Sequence, residues 1–234
     1  MRQSVSKRAS NSGKSELFSI LLDGLRAHFV LRDSTVLLIG SVARETLTKW
    51  SDIDLVVISA RPRKTWIPPA GMHIQFETRQ NFLRRLRKGE DLPAWALRFG
   101  KVLHDDGWWS GISKKTDLIN IWPDWRLKLD HARRRLEMAN ALHEMGDISA
   151  AWEEYLYAAS HITRAVLLAS YHFPLSRGEL AKQLSGIGEK ELADCIRQLI
   201  NEEPNKTMIE VERRILNRKF EALKRIAVKE SVAV

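Results

Sequence analysis

A single cysteine, Cys195, stands in 234 residues, so the chain has no internal disulfide framework and no multi-cysteine zinc site. It falls in "ELADCIRQLI", where the spacing predicts a helical core position. Long hydrophobic runs are missing too: "ELFSILLDGL" is broken by Asp23, and no stretch approaches the ~18 apolar residues that cross a bilayer. These absences predict a soluble, cytoplasmic chain with no membrane partner. Acidic residues are the scarcer charge, 29 against 38 basic ones, which leaves a formal charge of +9. That surplus raises encounter rates with polyanions such as nucleic acid or a nucleoside triphosphate. The opening residues "MRQSVSKRASNSGKS" are almost free of acids, and residues 1–13 read as a flexible basic tail.

What is present is enough for a real core, since 44% of the residues are hydrophobic. Leu17, Ile20, Leu21, Leu25 and Phe29 recur at helical spacing and predict a helix over residues 14–30. "TVLLIG" (35–40) and "DIDLVVIS" (52–59) are short runs rich in branched residues, the pattern of strands covered on both faces. After a loop bearing Pro62, Pro68 and Pro69, "MHIQFET" places His73, Gln75 and Glu77 on one side and Met72, Ile74 and Phe76 on the other. "RQNFLRRLRK" and "LPAWALRFG" read as helices, and "KVLHDD" as a short closing strand. A boundary near residue 115 then separates an α/β domain over 14–115 from helices alone over 116–234. In that second part Leu129, Ala132, Leu136, Ala139 and Leu142 form one stripe, and Trp152, Tyr155, Leu156, Ala159, Ile162 and Val166 another. Asp147 is the N-cap between them, and five successive helices predict a bundle. The fold class is therefore α+β, a small mixed sheet with flanking helices followed by an all-α bundle.

The chemistry is concentrated in "GSVARETLTKWSDIDL", Gly40 to Leu55. Asp52 and Asp54, two residues apart on a strand, point the same way and repel by several kcal/mol unless a cation lies between them. Hard oxygen ligands of this kind favour Mg2+ or Mn2+, ions that bridge carboxylates to substrate phosphates. The Gly-Ser turn supplies the matching half: Gly40 allows close approach of the backbone to a phosphate, Ser41 offers a hydroxyl, and Arg44 lies one turn on.

This stretch resembles the signature of the polymerase-beta-like nucleotidyltransferases, Gly-Ser-x-Ala-Arg-Gly, five residues, Ser-Asp-x-Asp-Leu. All spacings match, and Glu45 stands where that family prefers glycine. The resemblance implies a nucleoside triphosphate substrate, metal ligation by Asp52 and Asp54, and nucleotide binding by Gly40, Ser41, Arg44 and Ser51. It also implies a third acidic residue on the following strand. There His73 occupies the usual place and Glu77 lies four residues later on the same face, so three outcomes stay open: Glu77 substitutes as metal ligand and catalytic group, His73 ligates the metal or acts as catalytic base, or the third function is gone. The helical part resembles the HEPN-like domains that accompany minimal or kanamycin-type nucleotidyltransferases, as a fused domain or a partner chain. Some of that class are ribonucleases with arginine, four to six residues, then histidine. "RLKLDH", Arg126 to His131, has the spacing, but it opens the first helix, where that motif stands late. The resemblance implies transfer of a nucleoside monophosphate to a hydroxyl acceptor, with RNA or a protein as candidate acceptor and a homodimer or hetero-complex through the helical domain. The alternative is a weak or inactive relative, an antitoxin-type or RNA-binding accessory module, which Glu45 and His73 favour.

Overall fold

The runs that read as doubly covered strands form the centre of one sheet. The computed structural model describes residues 23–24, 33–46, 52–61 and 71–232, with the side chains of 231–232 left aside. The tail over 1–13, most of the helix predicted over 14–30, the proline loop and Ser51 lie outside the described residues. Strand β1 (Ser34–Ile39) is buried along its whole length, and Leu55 to Ile58 of β2 (Ile53–Ser59) are at most 1% exposed. Strands β3 (Met72–Thr78) and β4 (Lys101–His104) flank them in the order β3-β2-β1-β4. β1 runs antiparallel to β2 and β4, whereas β2 and β3 are parallel, so the sheet is mixed.

Register decides what gathers at one end. Ile39 pairs with Asp54, Asp54 pairs with His73, and Leu38 pairs with Lys101. The C-terminal end of β1 therefore meets the N-terminal ends of the other three strands. Helix α1 (Gly40–Ala43) leaves β1 at this end.

The opposite end is anchored by side chains. Helix α2 (Arg79–Arg87) starts on Thr78, whose hydroxyl accepts the Asn81 amide, and buries Phe82 and Leu86 one turn apart. Phe82 meets Trp108 and Trp109 edge-on at 6.0 and 5.8 Å. Helix α3 (Asp91–Phe99) buries Trp95, and α4 (Trp108–Ile112) buries Trp109 and Ile112. Core packing thus accounts for these tryptophans.

Asp105 fastens α4 to β1. Partial burial works against its charge, yet the Ser110 hydroxyl, the Ser110 and Trp109 amides and the Thr35 hydroxyl outweigh it and bring the carboxyl down to about 2. A folded-state value below the unfolded one means stabilisation that is present above the ordinary carboxylate range and lost as pH falls toward 2. Asp105→Ala is expected to lower stability by about 1 kcal/mol at neutral pH. The gap from wild type should close as thermal melts are taken down to acid pH.

The chain divides into two compact units, Met1–Trp122 and Pro123–Val234. The short helix α5 (Thr116–Ile119) belongs to the first, because the Arg98 guanidinium on α3 donates to the Ile119 and Ile121 carbonyls and lies over the Trp122 ring. The stretch just past residue 115, where the composition changes, is thereby held to the sheet unit.

The second unit holds five α-helices among the described residues: α6 (Arg126–Glu144), α7 (Ile148–Ala169), α8 (Leu180–Gly186), α9 (Lys190–Asn201) and α10 (Lys206–Val232). Leu129, Ala132, Leu136 and Ala139 of α6 are buried, as are Trp152, Tyr155, Ala159, Ile162 and Val166 of α7. Asp147 caps α7 by accepting the Ala150 amide at 3.0 Å. Cys195 is buried, and burial with Glu212 beside it pushes its thiol far up, so it is a poor nucleophile. Among the described residues no helix is long and apolar enough to cross a membrane.

Candidate functional site

The site is built where β1 ends and β2 begins. Because Ile39 pairs with Asp54, the residue after Ile39 lies directly against the Asp54 carboxylate. That residue is Gly40, at φ +75°, and a Cβ there would stand 2.5 Å from Asp54 Oδ2. Glycine is therefore required twice, by the left-handed backbone and by the space the carboxylate fills.

Asp52 precedes Asp54 by two residues, and His73 lies opposite Asp54 on β3. His73 Nε2 comes to 3.6 Å from Asp52 Oδ2, with side chains 71% and 53% exposed. This separation is longer than a hydrogen bond. The two acids thus face different neighbours, Asp54 the glycine turn and Asp52 the imidazole.

The turn itself is closed by Thr46, whose amide donates to the Ser41 carbonyl at 3.0 Å. Arg44 stacks its guanidinium over Phe99 at 4.9 Å from the ring centroid. Glu45 sits at φ +60°, the conformation for which glycine is suited, and its carboxylate accepts from Lys101 Nζ at 2.7 Å. Its charge is directed along β4. Both groups of that pair are at least half exposed, so the contact contributes only about 0–1 kcal/mol. Glu45→Gly is expected to leave stability within about 1 kcal/mol of wild type, and Glu45→Val to lower it by about 2 kcal/mol, because a β-branched residue resists positive φ. Urea unfolding of the two variants checks this.

Glu77 is not brought to the aspartate pair. It stands level with Ile58, four residues along β3 from His73, or about 13 Å at strand spacing. Its carboxylate is buried and takes Gln75 and Arg85 on one oxygen and Asn81 Nδ2, at 2.8 Å, on the other. Arg85 in turn donates to Glu90 at 2.6 Å. Glu77 thereby locks β3 to α2, and its charge is spent on Arg85.

Sequence reasoning missed Lys101 and the Phe99 platform, which become neighbours of the glycine turn only through β1–β4 pairing. The Glu77 network did leave a signal, since Asn81 and Arg85 follow Glu77 at four-residue steps. In the helical unit, Arg126 is paired with Asp124 and Glu230, and His131 meets the His161 ring edge-on at 5.1 Å.

Among the described residues no three carboxylate, imidazole or thiol groups close around one point as a metal cage would. The donor set is nonetheless suited to a divalent ion that shares its coordination with a substrate: two carboxylates at a strand end, an open side, and a bare glycine Cα against one of them.

Residues 19–103 match the family model described as the nucleotidyltransferase domain. The match covers the sheet and its glycine turn, ends within β4, and supports nucleotidyl transfer as the general chemistry of this unit. Among solved structures, a nucleotidyltransferase-like protein from Exiguobacterium sibiricum 255-15 is similar at 16% identity. The alignment covers 93% of this chain and 75% of that one, with a TM-score of 0.47. No curated protein matches the chain.

Proposed function

We propose that the chain is a metal-dependent nucleotidyltransferase that moves a nucleoside monophosphate from a nucleoside triphosphate to a hydroxyl acceptor. The observation that carries this reading is the Asp52–Asp54 pair set at a strand end against the Gly40 turn, within the segment that matches the nucleotidyltransferase domain.

In this reading Asp52 and Asp54 hold Mg2+ or Mn2+, which when bound supplies charge neutralisation at the transferring phosphoryl group. Gly40 admits the phosphate chain close to the backbone, and Ser41, Arg44 and Ser51 contribute to nucleotide binding. The acceptor oxygen forms a bond to the α-phosphorus and gives its proton to solvent. The bond from the α-phosphorus to the bridging oxygen breaks, and pyrophosphate departs with that electron pair. The basic surplus favours a polyanionic acceptor such as RNA, with a protein side chain as the other candidate. We place the helical unit with the HEPN-like domains, as a surface for a second copy or a partner chain, in a cytoplasmic protein.

Two observations favour a second reading. Glu77 is tied to Arg85, and the β3 residue level with Asp54 is His73 and not an acid, which suits a weak or inactive module of antitoxin or RNA-binding type. The two readings separate on incubation with each α-labelled triphosphate, Mg2+ or Mn2+, and RNA, a small alcohol or protein. Label is expected in one acceptor and is expected to fall sharply in Asp52→Asn and further still in Asp54→Asn. Transfer that survives both substitutions would remove the proposal.

A further inference from the structure

We infer that the outward face of α2, formed by Arg84, Arg87 and Lys88, docks the phosphate backbone of an RNA strand. The inference gives the polyanionic acceptor of the nucleotidyl-transfer reading a place on the molecule. It rests on that reading only for what the strand is bound for.

The surplus charge is unevenly divided. Residues 1–122 hold 20 basic and 12 acidic side chains against 18 and 17 in residues 123–234, so eight of the nine surplus charges fall to the sheet unit. Around α2 the fold spends its acids internally. Glu77 and Glu90 are tied to Arg85, Asp106 to Arg79, and Asp105 to the amides that open α4.

Three cations of α2 are left over. Phe82 and Leu86 fix the buried face of the helix, and Arg84, Arg87 and Lys88 lie on the opposite side, all exposed. Arg84 donates to the Asn81 side chain, and among the described residues none of the three meets a carboxylate. At spacings of three and four residues they stand about 5–6 Å apart, where like charges destabilise a helix. The negative end of the helix dipole offsets part of that repulsion. An anion on the outward face would offset the rest.

A row of phosphates has the chemistry to do so. Backbone phosphates each carry a charge and accept from flexible side chains without reading the base sequence, which suits an open helix face. The triphosphate of the proposed reaction is assigned to the aspartates and the glycine turn at the ends of β1 and β2, so α2 is left to the acceptor.

The test measures binding of the full chain to a labelled single-stranded RNA of mixed sequence, by fluorescence anisotropy over a range of salt. Replacing Arg84, Arg87 and Lys88 together by glutamine is expected to reduce the slope of log affinity against log salt by about 2. At ~0.1 M salt that corresponds to about a hundredfold weaker binding. Arg84→Lys with Arg87→Lys keeps the charges and should keep the slope. Arg134→Gln, Arg214→Gln and Arg225→Gln together remove the same charge from exposed positions of the helical unit, and should leave the slope unchanged, since it counts only contacted phosphates. All the substituted side chains are exposed, so circular dichroism should find the variants folded.

An unchanged slope in the α2 variant, an equal fall in both triple variants, or binding to phosphatidylserine vesicles but not to RNA overturns the inference. An α2 variant that melts lower yet binds RNA like wild type would also overturn it, leaving these cations a role at the helix end alone. Label transfer to a small alcohol by a protein that binds no RNA would overturn it while leaving nucleotidyl transfer standing. RNA binding that depends on α2, in a protein that transfers no label, would uphold it and remove the nucleotidyl-transfer reading.

Discussion

Asp54→Asn is expected to lower nucleotidyl transfer by about a thousandfold while leaving the fold intact. Asparagine keeps the shape of the side chain and removes the negative charge with which the proposed site would hold its cation. Asp54 is the better anchored of the two acids, because it is paired with Ile39 and His73 within the sheet and packed against the bare Cα of Gly40. Asp52 precedes the strand and is half exposed, so Asp52→Asn should cost less. Steady-state transfer of α-label, run beside thermal melts, checks both parts. A loss of activity accompanied by unfolding would assign Asp54 to the fold instead of the reaction.

The second large effect is expected from Gly40→Ala. A methyl group there would stand 2.5 Å from Asp54 Oδ2, and the backbone is held at φ +75°. The left-handed conformation costs an alanine about 1–2 kcal/mol, and relief of the clash adds to it, so stability should fall by about 1–3 kcal/mol. The carboxylate must also swing aside. A displacement of about 1 Å in a reacting group typically costs about a hundredfold in rate, which sets the expected loss of transfer. Gly107 provides the control. It too has positive φ, at +97°, but a Cβ there meets nothing within 4 Å, and it adjoins the Asp105 clamp. Gly107→Ala should lower stability and leave the rate per folded molecule unchanged.

The parts legible in the sequence are those set by local pattern. Continuous branched runs predict strands buried on both faces, and 34–39 and 53–59 are such strands. Heptad-like stripes at Leu129 to Ala139 and Trp152 to Val166 predict the packed faces of two helices, and Asp147 predicts the cap between them. What was not legible depends on register between distant segments. No pattern in "MHIQFET" says whether His73 or Glu77 lies level with Asp54, since both share one face of the strand. The parallel pairing with β2 decides it, together with Arg85 reaching back from α2 to Glu77. Glu45 is similar. In the sequence it stands where the resembling family prefers glycine, yet its carboxylate is turned to Lys101, a residue that becomes its neighbour only when β4 joins β1. The clustering of Lys101, Phe99 and Arg44 likewise has no counterpart in sequence spacing.

The central claim is that carboxylates at one end of this sheet hold a cation that in turn holds a triphosphate. Calorimetric titration of the full chain with a nucleoside triphosphate plus Mn2+ or Mg2+ tests it most directly. A saturable heat at one nucleotide per chain, absent when Asp52 and Asp54 are both replaced by asparagine, is the predicted result. No heat from the wild-type protein with either metal, or equal heat from the doubly substituted one, would contradict it.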